Sequence, residues 1–343
     1  MEDRGYNDNY SEGCKSCQAG KWLCIFLTYL CNAKCNFCPS PFKQQDKIFS
    51  AFGDQPDVIF QYMKEVRFNG ISFSGGDCFL VFNRLLKWVT EFKLKFPDIY
   101  YWAYTNGLAA DDDKLKQLAD NGLNEIRFNI AATGYNSALI LKRIETAVML
   151  FDKVAVEIPS IPADYEKLIT VLPVLDSIGV SYLNLHEFML MPEDPLTGKT
   201  QQAEYILNKE SVVHYDPQSL SNTRRVIKFC RSKHFNIRIN NCSLQKKDHQ
   251  MLQRRLAMGR IFRKPYEKLT EDGLLKTWLV YSSQFSEEDV HSRLRHKTTP
   301  EHWEKYCITP DSSCNGHRVD ELVFLPPLGI DDQRVLYQIN KIR

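Results

Sequence analysis

The stretch LTYLCNAKCNFCPSPF, residues 27–42, sets cysteines at 31, 35 and 38 directly behind an apolar run. That run, LCIFLTY (23–29), is rich in β-branched and aromatic residues and reads as a strand, so the thiols stand at a strand's end. Three thiolates from one tight loop can ligate three irons of a [4Fe–4S] cube. Such clusters are commonly held by four cysteines, so a loop supplying three leaves one iron open. Zinc accepts the same thiolates but needs a fourth ligand to close a structural site. The triplet alone therefore leaves a cluster, zinc and plain structural thiols all open. Phe37 is placed to lie against a bound cluster, and Pro39 to turn the chain away.

Outward from this loop, short apolar runs alternate with helical stretches. GISFS (70–74), YYWAYT (100–105), EIRFNI (125–130), VAVEIP (154–159) and YLNLHEF (182–188) read as strands. DVIFQYMKEVRF (57–68) and NRLLKWVTEFKLKF (83–96) carry apolar residues at helical spacing. DDDKLKQLADNG (111–122) opens on acidic capping residues and stops at Gly122; ADYEKLITVLPVLDSIG (163–179) stops at Gly179, with a kink or break expected at Pro173. Six strand–helix repeats imply a parallel sheet, and near-continuous apolar strands imply cover on both faces. Periodicity does not separate a partial barrel from an open sheet. In a barrel, functional residues gather at the strands' C-terminal ends, where the unusual residues here fall.

The pattern changes after about residue 192. PEDPLTGKTQQ (192–202) reads as a loop, SLSNTRRVIKFCRSKH (219–234) and DHQMLQRRLAMGRIFRK (248–264) as helices, and FNIRIN (235–240) as a strand. LLKTWLVY and VDELVFLP, beyond 265, fit strands of a small separate sheet. The expected organisation is an extension over 1–22, a core over 23–192 and a C-terminal α+β region over 193–343.

The chain has 343 residues and a formal net charge of +2, which gives no global electrostatic case for nucleic acid or membrane. No apolar run approaches the ~20 residues that span a bilayer. The polar, acidic start MEDRGYNDNYSEG does not resemble a targeting peptide, so a cytoplasmic location is expected. Eleven cysteines, six of them between 14 and 38, fit metal or redox chemistry in a reducing compartment better than disulfides.

At the end of the second strand stands SFSGGDCF (72–79). Adjacent glycines let backbone approach a ligand closely, and Asp77 offers an acceptor for an ammonium. Taken with the cysteine loop, Ser74, Gly75, Gly76 and Asp77 make the sequence resemble the radical S-adenosylmethionine (SAM) superfamily over about residues 23–190. The motifs YTNG (104–107), GLNEIRFNI (122–130), GCKSCQAG (13–20) and LNLHEF (183–188) are similar to its subgroup around pyruvate formate-lyase-activating enzymes. Cys78 departs from the proline usual there.

The resemblance implies a partial (β/α)6 TIM-type barrel. It implies a [4Fe–4S] cluster on Cys31, Cys35 and Cys38 whose open iron is chelated by the methionine end of SAM, with the glycine motif receiving the amino group. Reductive cleavage to a 5′-deoxyadenosyl radical then takes hydrogen from a substrate. An electron donor such as flavodoxin or ferredoxin is implied as a partner.

Thr105, Asn106, Arg127, Asn129 and Glu157, at or near later strand ends, are candidates for holding SAM, with mutual structural pairing as the alternative. Asn184 and Glu187 share the sixth strand with His186, a candidate acid or base. Cys14 and Cys17 form a Cys-x2-Cys pair that Cys242 could complete as a second metal site, of zinc or iron–sulfur type. The basic run from Lys246 to Lys264 fits a solvated helix face or a dock for an acidic partner; no aromatic platform favours nucleic acid.

The leading expectation is a radical SAM enzyme acting on a peptide or protein, with peptide natural-product maturation (epimerisation, cross-linking or backbone excision) favoured and a separate delivery protein allowed. Glycyl-radical-enzyme activation, or a small-molecule substrate, is the alternative within the class. A zinc-binding scaffold without chemistry is the alternative outside it.

Overall fold

The computed structural model describes residues 10–38, 56–57, 59–60, 63, 66–190, 202–209, 211–281, 288, 292, 301–310, 312, 317–326 and 335–342. The expected helix over 57–68 falls partly outside these residues. Pro39 and all but the last residue of the loop 192–202 fall outside them.

The chain forms two compact units, one of residues 1–58 and 68–248, the other of 59–67 and 249–343. In the first unit the six expected strands form as β1 (Trp22–Thr28), β2 (Gly70–Gly75), β3 (Tyr100–Thr105), β4 (Glu125–Phe128), β5 (Lys153–Pro159) and β6 (Tyr182–His186). They pair in sequence order, each neighbour parallel. A hairpin of β7 (Ala203–Leu207) and β8 (Ser211–Tyr215) follows, and then β9 (Arg238–Cys242) adds a seventh parallel strand beside β6. The core is an α/β structure whose largely parallel sheet is of the partial (β/α)6 barrel type.

Side-chain alternation divides the sheet's faces. Ile71, Phe73, Tyr101, Ala103, Ile126 and Phe128 are buried on the helix-covered face, where Phe92 meets both Phe73 and Tyr101 edge-on. Of the helices, α1 (Glu12–Gln18) is unlike the rest. It is capped by Ser11, whose hydroxyl accepts from the Cys14 amide, and it buries Gly13, Cys14 and Ser16. It lies on the opposite, inner face: a Cβ on Gly13 would stand 2.7 Å from an Arg127 nitrogen and 3.2 Å from Trp102, and one on Gly70 would stand 2.9 Å from Ser16. Glycine at 13 is what lets this helix approach the barrel's interior.

The crossover helices are α2 (Phe82–Lys95), α3 (Asp112–Asp120), α4 (Ala138–Leu150) and α5 (Tyr165–Ile178). The acidic start of α3 works as expected, Asp111 Oδ1 accepting from the Lys114 amide at 2.9 Å. α5 does not break at Pro173 but runs through it to Gly179, which adopts φ +96°. Pro173 is solvent-exposed, so the carbonyl that loses its amide partner there is open to water. α6 (Gln218–Lys233) packs beside α5, and α7 (Leu244–Phe262) follows β9 in sequence.

The second unit carries an antiparallel sheet of β10 (Lys268–Leu269), β11 (Leu275–Val280), β12 (Cys307–Ile308), β13 (Val319–Leu325) and β14 (Val335–Lys341). Leu275, Leu279, Trp303, Leu322, Phe324 and Leu336 form its core. In α7, Arg254 and Arg255 are buried, so the basic run is not simply a solvated face. No helix among the described residues is long and apolar enough to cross a membrane.

Candidate active site

A cavity of ≈ 350 Å³ opens at the C-terminal ends of β1 to β6. Cys31, Cys35 and Cys38 line it, together with Phe37, Ser74, Gly75, Gly76, Thr105, Asn106, Arg127, Asn129, Glu157 and His186. Nearly the whole set singled out in the sequence thus meets around one space.

Backbone fit sets the rim on its β1–β2 side. Gly75 has φ +125°, and a Cβ there would lie 1.9 Å from the Thr28 carbonyl oxygen; a Cβ on Gly76 would lie 1.9 Å from that of Leu30. Only glycine allows this approach. It lets Gly76 N donate to Thr28 O at 2.6 Å and Asp77 N to Leu30 O at 2.7 Å, clasping the turn to the residues that lead into Cys31.

Asp77 is the exception among the candidates. Its side chain is fully buried and does not line the cavity. Its carboxylate accepts from Phe79 N (3.0 Å), Thr105 Oγ1 (3.0 Å) and Asn106 N (2.8 Å), which leaves no free edge for an ammonium. Burial raises its carboxyl above the ordinary value, against the pull of these donors. Asp77 is a strut joining β2's turn to β3's end. Asn106 extends the strut to the cysteine loop, its side-chain amide reaching Asn32 Oδ1 at 2.7 Å and Cys31 Sγ at 3.6 Å. Cys78, buried and standing where proline is usual, donates its thiol to Ser74 O at 3.2 Å.

On the opposite side, Phe37 packs with Ile161, Phe188 and Leu190. Asn129 caps the short turn after β4, its Oδ1 accepting from Ala132 N at 3.2 Å.

Beneath the cavity lies a buried ionic network. Arg127 donates to Glu125 Oε1 (2.6 Å), Glu157 Oε2 (2.7 Å), Tyr104 (3.4 Å) and Ser11 (3.3 Å), and stacks on Trp102 at 4.9 Å. Glu157 also binds Asn184 (2.9 Å) and His186 Nε2 (2.6 Å). Although burial opposes ionisation, Arg127 and His186 hold the Glu157 carboxyl well below its usual range. Against burial, Cys242 and Glu157 push His186 up to about 9. Arg127 and Glu157 are thus paired with each other, and both also line the cavity.

Tyr104 and Lys247 line the cavity as well and were not among the sequence candidates. Their signals were weak: Tyr104 is the inward residue next after Trp102 on β3, and Lys247 was hidden in the basic run.

As the side chains stand, no three His, Cys, Asp or Glu residues among those described enclose one point. The fit to a thiolate-held cluster rests on donor chemistry. Three cysteines open onto one cavity and none is disulfide-bonded. Moreover, N–H groups of Ala33 and Asn106 point at Cys31 Sγ from 3.5 and 3.6 Å.

Comparison with known proteins supports the superfamily resemblance but no particular subgroup. Residues 25–154 match the model of the Radical SAM superfamily. A Methanocaldococcus jannaschii protein, provisionally named a glycyl-radical enzyme activating enzyme, is 28% identical over 279 residues, covering 78% of this chain and 72% of the relative. Among solved structures, Streptococcus suis SuiB bound to S-adenosylmethionine superposes with a TM-score of 0.48 at 15% identity, over 64% of this chain and 50% of SuiB. The chain thus spans half of SuiB's length. Methylornithine synthase superposes with a TM-score of 0.45 at 12% identity, over 70% of this chain and 74% of that one.

Proposed function

We propose that the chain, whose residues 25–154 match the Radical SAM superfamily model, holds a [4Fe–4S] cluster on Cys31, Cys35 and Cys38 and uses it to cleave SAM reductively. When bound, this pair of cofactors supplies a 5′-deoxyadenosyl radical able to take hydrogen from an unactivated C–H bond. The residues of the chain bind, orient and shield. Gly75 and Gly76 leave backbone open beside the cysteine loop for the amino-acid end of SAM. Thr105, Asn106 and Asn129 border the space beyond it, and Phe37 walls the cluster side with Phe188. Asp77 acts through its strut and touches neither cofactor.

The observation that carries this reading is the clasp that seats the Gly75–Gly76 turn against the residues leading into Cys31, within one cavity. Its test is anaerobic reconstitution with iron and sulfide, then reduction with dithionite in the presence of SAM. 5′-Deoxyadenosine is expected, and none from Cys31→Ala, Cys35→Ala or Cys38→Ala. Unchanged release in those variants, or zinc without acid-labile sulfide in the reconstituted protein, refutes it.

For the substrate, activation of a glycyl-radical enzyme is the better supported choice, because the M. jannaschii relative carries that name over most of both chains. Peptide maturation is the second reading. Transfer of deuterium from an α-deuterated glycine of a protein substrate into 5′-deoxyadenosine supports the first. Transfer from another residue of a short peptide supports the second.

A further inference from the structure

Four residues with metal-ligating side chains stand on neighbouring elements outside the cysteine loop: Cys14 and Cys17 on α1, His186 on β6 and Cys242 on β9. Cys14 and Cys17 are three positions apart on α1 and so share a helix face. The Cys14 sulfur lies 3.6 Å from Arg127 Nη2, 3.6 Å from Asn240 Nδ2 and 3.8 Å from Asn184 Oδ1. Asn184 and Asn240 stand opposite each other on β6 and β9. Two residues further along, on the same face, His186 stands opposite Cys242. None of the three thiols is in a disulfide.

The imidazole is the informative member. His186 Nε2 faces Glu157 Oε1 at 2.6 Å, while Nδ1 is buried and makes no hydrogen bond. The Glu157 carboxylate can only accept, so Nε2 carries the hydrogen. In the neutral ring Nδ1 then presents a lone pair toward the thiols. A carboxylate on one ring nitrogen and a lone pair on the other is how metal-bound histidines are oriented. Asn240, also buried, leaves its Oδ1 without a partner in the same place.

We propose that Cys14, Cys17, Cys242 and His186 Nδ1 bind one zinc-class divalent ion, separate from the 31–38 loop. Three thiolates and an imidazole make a closed tetrahedral set of the structural kind. The N–H groups of Arg127 and Asn240 stabilise the Cys14 thiolate from outside the ligand set. Because no three of these side chains enclose one point as they stand, closing the set takes rotation of the thiols between staggered wells. Protons leave the thiols and the ring as the ion enters. Once bound, the ion ties α1 to β6 and β9.

The test measures metal in the full-length protein after loading with zinc chloride and desalting, alongside the Cys31→Ala/Cys35→Ala/Cys38→Ala variant that lacks the cluster thiols. About one zinc per chain is expected in that variant, as for a structural site. Cys17→Ser/Cys242→Ser in the same background should bring zinc to background. Cys24→Ser, a thiol on β1 outside the set, should leave it unchanged. If the double-serine protein does not fold, cobalt(II) loading of the cluster-thiol-free protein decides, with a thiolate-to-cobalt charge-transfer band expected that shifts on His186→Ala. Zinc that persists in the double-serine protein, zinc lost with the 31–38 thiols, or a cobalt spectrum without that band overturns the proposal. The 5′-deoxyadenosine assay is not used, so failure here is distinguishable from failure of the proposed function.

Discussion

Replacing Arg127 by methionine should be among the most damaging single changes in the core. The Arg127 side chain is 5% exposed and its two carboxylate partners, Glu125 and Glu157, are 0% and 12% exposed. Methionine fills much of the volume but leaves both carboxylates without their cation. Glu157 keeps His186 and Asn184, whereas Glu125 keeps only the Tyr100 hydroxyl at 3.0 Å, so most of the penalty falls on Glu125. Breaking a buried pair from one side costs about 3–5 kcal/mol. Anaerobic urea unfolding followed through tryptophan fluorescence measures it, since Trp102 lies directly under the guanidinium. Adding Glu125→Gln should recover roughly 1–3 kcal/mol, the range for directly coupled neighbours. A loss below about 1 kcal/mol, the level of an exposed pair, would show that the network is hydrated. Failure of Glu125→Gln to recover anything would show that Glu125 is not the group left exposed to the penalty. Either outcome refutes the reasoning.

Acid should act through the same group. The folded-state Glu157 carboxyl is depressed, so the stability it contributes is complete above the ordinary carboxylate range and is lost as pH falls toward its folded value. The acid-unfolding midpoint, read by circular dichroism, should therefore move to higher pH in Arg127→Met, and an unmoved midpoint counts against the pairing. Gly76→Ala would force its Cβ onto the Leu30 carbonyl and should break the clasp, with 5′-deoxyadenosine formation falling further than the roughly 1–3 kcal/mol stability loss typical of overpacking would explain; wild-type turnover would show that the clasp is dispensable. Asp77→Asn turns an NH2 toward donors and should cost about 1–3 kcal/mol of stability, lowering SAM cleavage with it; a change in SAM affinity without loss of stability would instead mean direct contact. Gly13→Val should detach α1 from Trp102 and Arg127, increasing proteolysis within residues 10–20, and unchanged digestion would place the helix elsewhere.

The six-strand core was legible because most of its strands are buried on both faces and so leave near-continuous apolar runs, as in YYWAYT. The cysteine loop and the two glycines were legible because their residue types are rare at strand ends without a reason. The burial and pairing of Asp77 were not legible because its donors Thr105 and Asn106 lie a strand away and no local pattern announces them. The β7–β8 hairpin escaped notice because its turn takes positive φ at Asn208 and Lys209 without the glycine that usually signals it. α1 escaped because a seven-residue helix with buried glycine and cysteine has no apolar stripe to read. Arg254 and Arg255 read as surface charge because sequence cannot show which face of a helix a neighbouring element covers.

The position of α1 sets an order of events during synthesis. The Cys14 side chain meets residues 170 and 226 positions downstream, so α1 leaves the ribosome long before the strands that seat it. Until β6 and β9 have emerged, its Gly13–Cys14–Ser16 face has nothing to rest on, and contacts of such long sequence separation form slowly. A nascent chain arrested before β9 would hold the sheet open at the very spot this helix stoppers. The amino end is thus a latch closed from behind, fastened only when the last parallel strand is in place.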